Sequence, residues 1–216
     1  MNRPSRATRL EEAFAALPLI AILRGLKPEE VGGVAPVLYE AGFRFIEVPL
    51  NSPDPFDSIR LIRDLLPADT LVGAGTVTRP AEVERLVGLD ADLVVMPHAD
   101  TAVIRAAADA GLVCMPGIAT PTEAFAALAA GAAALKIFPA EMVGPPVIKA
   151  MRAVLPAGTR LLPVGGITPA TMDPFLAAGV AGFGLGSALY KPGMDVDAVA
   201  ANAQAFVDAW KARQRP

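Results

Sequence analysis

The chain has 216 residues, of which 53% are apolar, with one histidine and one cysteine. That length suits a single domain with a sizeable core. Lys+Arg 19 against Asp+Glu 22 gives a net charge of -3, which excludes the basic excess that nucleic-acid binding draws on. Cys114 has no partner for a disulfide within the chain, which suits a reducing cytoplasm. His98, standing alone, cannot build a multi-histidine metal site, so no metal is expected.

Mean hydropathy is high, at +0.45, so a membrane segment has to be considered. The longest charge-free stretch, Pro174 to Tyr190, is broken by Pro174 and by glycines at 179, 182, 184 and 186, well short of a spanning run. The arginines of the N-terminus are followed by Glu11 and Glu12 rather than by an apolar targeting region. The expectation is a cytoplasmic protein with neither a membrane nor a nucleic-acid partner.

In chain order, a helix over about Arg6 to Leu17 comes first. Eight short apolar runs of strand type follow: Leu19 to Leu23, Phe45 to Leu50, Leu71 to Val77, Leu93 to Pro97, Leu112 to Pro116, Ala134 to Pro139, Leu161 to Gly165 and Phe183 to Leu189. Stretches of helical period or composition separate them, at Pro28 to Ala41, Phe56 to Leu66, Ala81 to Val87, Thr101 to Ala110, Thr122 to Ala130, Pro146 to Leu155 and Pro169 to Ala178. Val196 to Trp210 closes the chain. Four of these helices end in alanine then glycine, at Gly42, Gly111, Gly131 and Gly179, where glycine supplies the left-handed stop. Prolines 28, 80, 121 and 169 sit near helix starts, where a missing N–H costs nothing.

Near-continuously apolar strands alternating with helices mean a parallel sheet covered on its faces. Eight such units close into a compact (β/α)8 TIM barrel of α/β class, with the extra N-terminal helix plugging its bottom. A doubly wound open sheet is the alternative. Barrels of this kind typically take about 250 residues, so loops must be minimal. Residues 1–216 are read as one barrel domain, with 1–18 as N-terminal extension and helix and the barrel over about 19–212.

Barrel chemistry sits at the C-terminal strand ends. Lys136 stands in Ala134-Leu135-Lys136-Ile137-Phe138, where burial would lower its pKa and free a neutral amine for a Schiff base. Glu47, in Phe45-Ile46-Glu47-Val48-Pro49, would have its pKa raised toward the range useful for moving protons. A structural ion pair between the two is the plain alternative, and it is compatible with catalysis. Gly165, Gly166, Gly186 and Ser187 end the seventh and eighth strands, where backbone N–H groups can converge on a phosphate. Arg24 and Thr76 could hold an anionic group. Pro97 and Phe138 are further strand-end candidates for substrate contact. Cys114 reads as core. Gly182-Phe183-Gly184-Leu185-Gly186 resembles a dinucleotide fingerprint but comes too late for a βαβ unit to follow.

Six segments carry a family resemblance: Ile22-Leu23-Arg24-Gly25, Ile46 to Pro53, Val72 to Val77, Pro116 to Pro121, Leu135 to Glu141 and Val164 to Ile167. Together they resemble the 2-keto-3-deoxy-6-phosphogluconate and -galactonate aldolases, class I enzymes on a compact barrel, over about Leu19 to Gly193. The resemblance implies that Lys136 forms the imine with a phosphorylated 2-keto-3-deoxy sugar acid and that Glu47 moves protons. It implies that Arg24, Thr76, Pro97, Phe138, Val164 and Asn51 contact the substrate and that Gly165, Gly166, Gly186 and Ser187 hold its phosphate. It implies no cofactor and a homotrimer. Asn51 and Val164 look like the galactonate branch, in which a valine offers no hydroxyl beside C4, whereas Ala140-Glu141 looks like the gluconate branch, leaving dual use open. A phosphosugar isomerase working without an imine, or a non-catalytic barrel, are the rival readings.

Overall fold

The computed structural model describes residues 4–213. Parallel strands β1 (Leu19–Ile22), β2 (Phe45–Pro49), β3 (Leu71–Gly75), β4 (Leu93–Val95) and β5 (Val113–Met115) form one ladder with β9 (Phe183–Leu185). Strands β6 (Gly117–Ile118), β7 (Leu135–Ile137) and β8 (Leu161–Pro163) form a second. The ring closes at two joints. Val164 bridges Gly184 between β8 and β9, and β5 and β6 are halves of one stave interrupted at Pro116. Proline has no N–H for the ladder, yet its carbonyl accepts from the Lys136 N–H at 2.9 Å, and the barrel has eight staves.

Helices α1 (Arg6–Ala16), α2 (Val31–Ala41), α3 (Pro55–Leu65), α4 (Pro80–Gly88) and α5 (Thr101–Asp109) come in the order read from the sequence. So do α6 (Pro121–Ala129), α7 (Ala140–Arg152), α8 (Met172–Ala177) and α9 (Val196–Ala212). All four Ala-Gly stops are left-handed, with φ of 110°, 69°, 104° and 84° at Gly42, Gly111, Gly131 and Gly179. Some boundaries differ. The Pro28 and Pro169 starts are short 3-10 turns ahead of α2 and α8, and in α7 a first turn from Ala140 ends at the non-helical Gly144 (φ 64°, ψ 161°), so the chain is kinked just before the two prolines where the helix was expected. Several strand runs also end early. Val77, Pro97, Gly165 and Leu189 belong to the loops that carry the site.

Strand alternation divides the core into two layers. Ile20, Phe45, Leu71, Leu93, Val113 and Leu162 fill the barrel and pack on Leu10 and Ala13 of α1, with the Phe14 and Phe45 rings 4.9 Å apart. Their neighbours Ala21, Ile46, Val72, Val94, Cys114 and Leu135 face the helices. Burial pushes the Cys114 thiol up to about 12, as befits an inert core residue. Beneath the plug, Arg9 and Asp92 are both buried. Arg9 Nη2 meets Asp92 Oδ1 at 2.5 Å, and Arg6 and Arg63 reach the same carboxylate at 3.2 and 3.4 Å.

Candidate active site

The alternation that fills the barrel bottom also aims the charges at its top. Ala134 faces inward while Leu135 and Ile137 face the helices, so Lys136 must point into the barrel. By the same period Phe45 and Glu47 share the inner face of β2, with Glu47 in register between Ile22 and Gly73. Glycine at 75 leaves room for the Glu47 carboxylate, because a Cβ there would lie 1.9 Å from Glu47 Oε2 and displace it.

Glu47 is 1% exposed and Lys136 5%. The two feel each other's charge, yet no salt bridge joins them among the described residues, and Glu47 Oε2 has no hydrogen-bond partner. Lys136 Nζ instead sits 4.6 Å from the centroid of the Phe138 ring. Burial pushes the Glu47 carboxyl up to about 7 against the opposing pull of Lys136 and Arg24. Burial also holds the Lys136 ammonium below its ordinary range, with Arg24 adding to the effect and Glu47 resisting it. An amine eased toward its free base can attack a carbonyl, and a carboxyl that titrates near neutrality can shuttle the accompanying protons.

A cavity of about 340 Å³ opens over Lys136. Arg24, Phe138, Val164, Gly165, Gly166, Gly186 and Ser187 line it, so most of the sequence-derived candidates meet in one place. Part of the room comes from β9: at Gly184 a Cβ would press on Val164 at 2.6 Å and on Ile22 at 3.1 Å. Small residues thereby empty a barrel interior that side chains ordinarily fill. Asn51 lies outside the lining and joins it through Arg24, whose Nη1 donates to Asn51 Oδ1 at 2.6 Å. Glu47, Thr76 and Pro97 are not in the lining. Thr76 adopts a left-handed φ of 56° just past β3, and the Pro97 carbonyl packs so closely on Gly117 that a Cβ there would come within 2.6 Å.

Sequence reasoning missed Thr168, Tyr190 and Lys191, which also line the cavity, and Ser52, whose hydroxyl accepts from the Gly25 N–H at 2.8 Å and ties the first two strand ends together. A separate depression of about 430 Å³ lies by Phe56 and Arg79. Both of its arginines are already engaged: Arg79 pairs with Glu82 at 2.7 Å, and Arg85 lies 3.6 Å over the Phe56 ring. Among the described residues no cluster of three or more His, Cys, Asp or Glu could hold a metal ion.

A closed parallel barrel with a buried lysine and a buried carboxyl on its inner face suits carbon–carbon lyase chemistry, and comparison with known proteins shows an aldolase. The model of the KDPG and KHG aldolase family matches residues 10–204, and the chain belongs to that family. It is 53% identical over 195 residues to the probable 2-dehydro-3-deoxy-6-phosphogalactonate aldolase of Rhizobium meliloti (strain 1021), covering 90% of this chain and 92% of that one. It is 47% identical over 195 residues to the 2-dehydro-3-deoxy-6-phosphogalactonate aldolase of Escherichia coli (strain K12), covering 90% and 95%. A solved structure described as native KDPGal superposes with a TM-score of 0.89 at 47% identity, covering 91% of this chain and 95% of that one.

Proposed function

We propose that the chain is a Schiff-base aldolase that cleaves 2-dehydro-3-deoxy-6-phosphogalactonate to pyruvate and D-glyceraldehyde 3-phosphate. The substrate is supported by the identity, near one half, to two relatives that bear that name. The mechanism is carried by one observation: a buried lysine and a buried carboxyl lie close enough to perturb each other without forming a salt bridge.

In this reading the neutral Lys136 amine adds to the C2 ketone, and loss of water from the carbinolamine gives an iminium. Removal of the C4 hydroxyl proton then breaks the C3–C4 bond. The bond's electrons pass into the iminium, leaving an enamine on Lys136 and releasing the aldehyde. A proton delivered to C3 and hydrolysis of the imine return pyruvate and the free amine. Glu47, poised near neutrality, takes and gives these protons. Arg24, held by Asn51, meets the acid end or hydroxyls together with Thr76. Phe138 and Val164 shape the space around the carbon chain, with Pro97 beyond the lining. The backbone at Gly165, Gly166, Gly186 and Ser187 binds the phosphate.

Val164 bears on the choice between epimers. A valine against C4 offers that carbon's hydroxyl no hydrogen bond, so the gluconate epimer is a secondary substrate, cleaved more slowly. Assaying pyruvate release from each epimer tests this. Faster cleavage of the galactonate form is expected, and inactivity toward both would overturn the reading. A homotrimer is part of the same proposal, and exposed Phe125, Met142 and Val147 supply apolar surface for it. Light scattering should return the mass of three chains. Among the described residues no helix is long and apolar enough to cross a membrane.

A further inference from the structure

The loop after β9 carries a cation to which neither the sequence nor the family match assigns a role. Lys191 lines the same cavity as Gly165, Gly166, Gly186 and Ser187. Arg24, Lys136 and Lys191 are the charged residues of that lining. Two of them are committed: Lys136 to the carbonyl, and Arg24 to Asn51 at 2.6 Å. Arg24 also acts on both Lys136 and Glu47. Lys191 comes from the loop after β9, a few residues past Gly186 and Ser187.

The loop that carries Lys191 is held on several sides. The Glu30 carboxylate accepts from the Tyr190 hydroxyl and from the Gly193 N–H, each at 3.3 Å, and from the Lys27 N–H at 2.9 Å. Asn202 Nδ2 donates to the Leu189 carbonyl at 3.2 Å. Pro192 packs on Gly25 so closely that a Cβ there would lie 2.5 Å from its Cγ. Lys191, itself an exposed residue, thus sits on a fixed backbone.

A negative charge stands close to the glycine cradle, outside the cavity lining. The Glu141 side chain lies against Gly165 and Gly166, where added Cβ atoms would come within 2.2 and 2.8 Å of it. A phosphate dianion on the backbone N–H groups of the cradle would have that carboxylate nearby, and a cation on the cavity side would offset the repulsion.

We infer that Lys191 is the residue that confers preference for a phosphorylated over an unphosphorylated substrate, by pairing with the phosphate from the Ser187 side of the cavity. This rests on the aldolase reading and refines its phosphate end. The step is one of binding only, so Lys191→Met should raise KM for the phosphorylated sugar acid about tenfold with kcat little changed. Cleavage of the unphosphorylated analogue should not move. Lys191→Arg should restore most of the loss, Lys191→Glu should deepen it, and Glu141→Gln should lower KM. High salt should shrink all these differences.

The control is exchange of pyruvate's methyl protons into deuterium oxide, followed by NMR, which needs imine chemistry but no phosphate. Exchange by the natural protein and by Lys191→Met alike, with KM raised only for the phosphorylated substrate, is the expected result. If both proteins exchange while KM is unchanged, or if it rises equally for both substrates, the inference about Lys191 fails alone. If the natural protein does not exchange, the aldolase reading fails with it.

Discussion

Two pairs of opposite charges are buried in this barrel, one at each end, and they are treated in opposite ways. At the bottom, Arg9 and Asp92 touch at 2.5 Å, with Arg6 and Arg63 adding further contacts, and these partners hold the Asp92 carboxyl below its ordinary range although burial works against them. At the top, Lys136 and Glu47 do not bond, an oxygen of Glu47 goes unpartnered, and both groups are driven toward neutrality. Close partners keep a buried pair charged and structural. Separation leaves each group short of compensation, and therefore reactive.

The contrast breaks most severely at Lys136. Lys136→Met should abolish cleavage, with a fall of about 10⁴-fold or more, while circular dichroism and melting show an intact fold. Asp92→Ala should do the reverse. Stripping Arg9 of its carboxylate leaves a buried charge uncompensated, a loss of about 3 to 5 kcal/mol, which denaturant titration would register, while turnover per folded molecule stays near normal.

Glu47→Gln sharpens the comparison because it should weaken function and strengthen the fold together. Turnover should drop by about 10² to 10⁴-fold. The folded carboxyl titrates at about 7 against an ordinary 4.5, so between those values the fold holds more protons than the open chain and loses stability as pH rises. Melting at pH 8 should accordingly show the glutamine variant more stable by about 1 to 3 kcal/mol, with no gain at pH 4. The smallest effect belongs to Val164→Thr, which should shift the ratio of cleavage rates toward the gluconate epimer by about tenfold or less.

Much of this was legible beforehand because it follows from period and punctuation. Eight apolar runs, four Ala-Gly stops and a lone lysine inside an apolar strand carry their own physical meaning. The inward aim of Lys136 and Glu47 follows from counting by two along β7 and β2. Other features were beyond reach because they arise from contacts far apart in the chain. Lys191 reads as an ordinary turn lysine until Glu30, some 160 residues earlier, fixes its loop. The stave broken at Pro116 depends on β4 and β7 taking its two halves. Asp92, next to Ala91 and Leu93, gives no local sign that Arg9 waits beneath the barrel.

The decisive measurement is borohydride reduction in the presence of pyruvate, followed by peptide mass spectrometry. One adduct, of mass equal to a reduced pyruvyl imine, should appear on the peptide containing Lys136 and vanish in Lys136→Met. A folded protein that takes up no adduct, or takes it up at a different lysine, would contradict the assignment of the unpaired top lysine as the nucleophile.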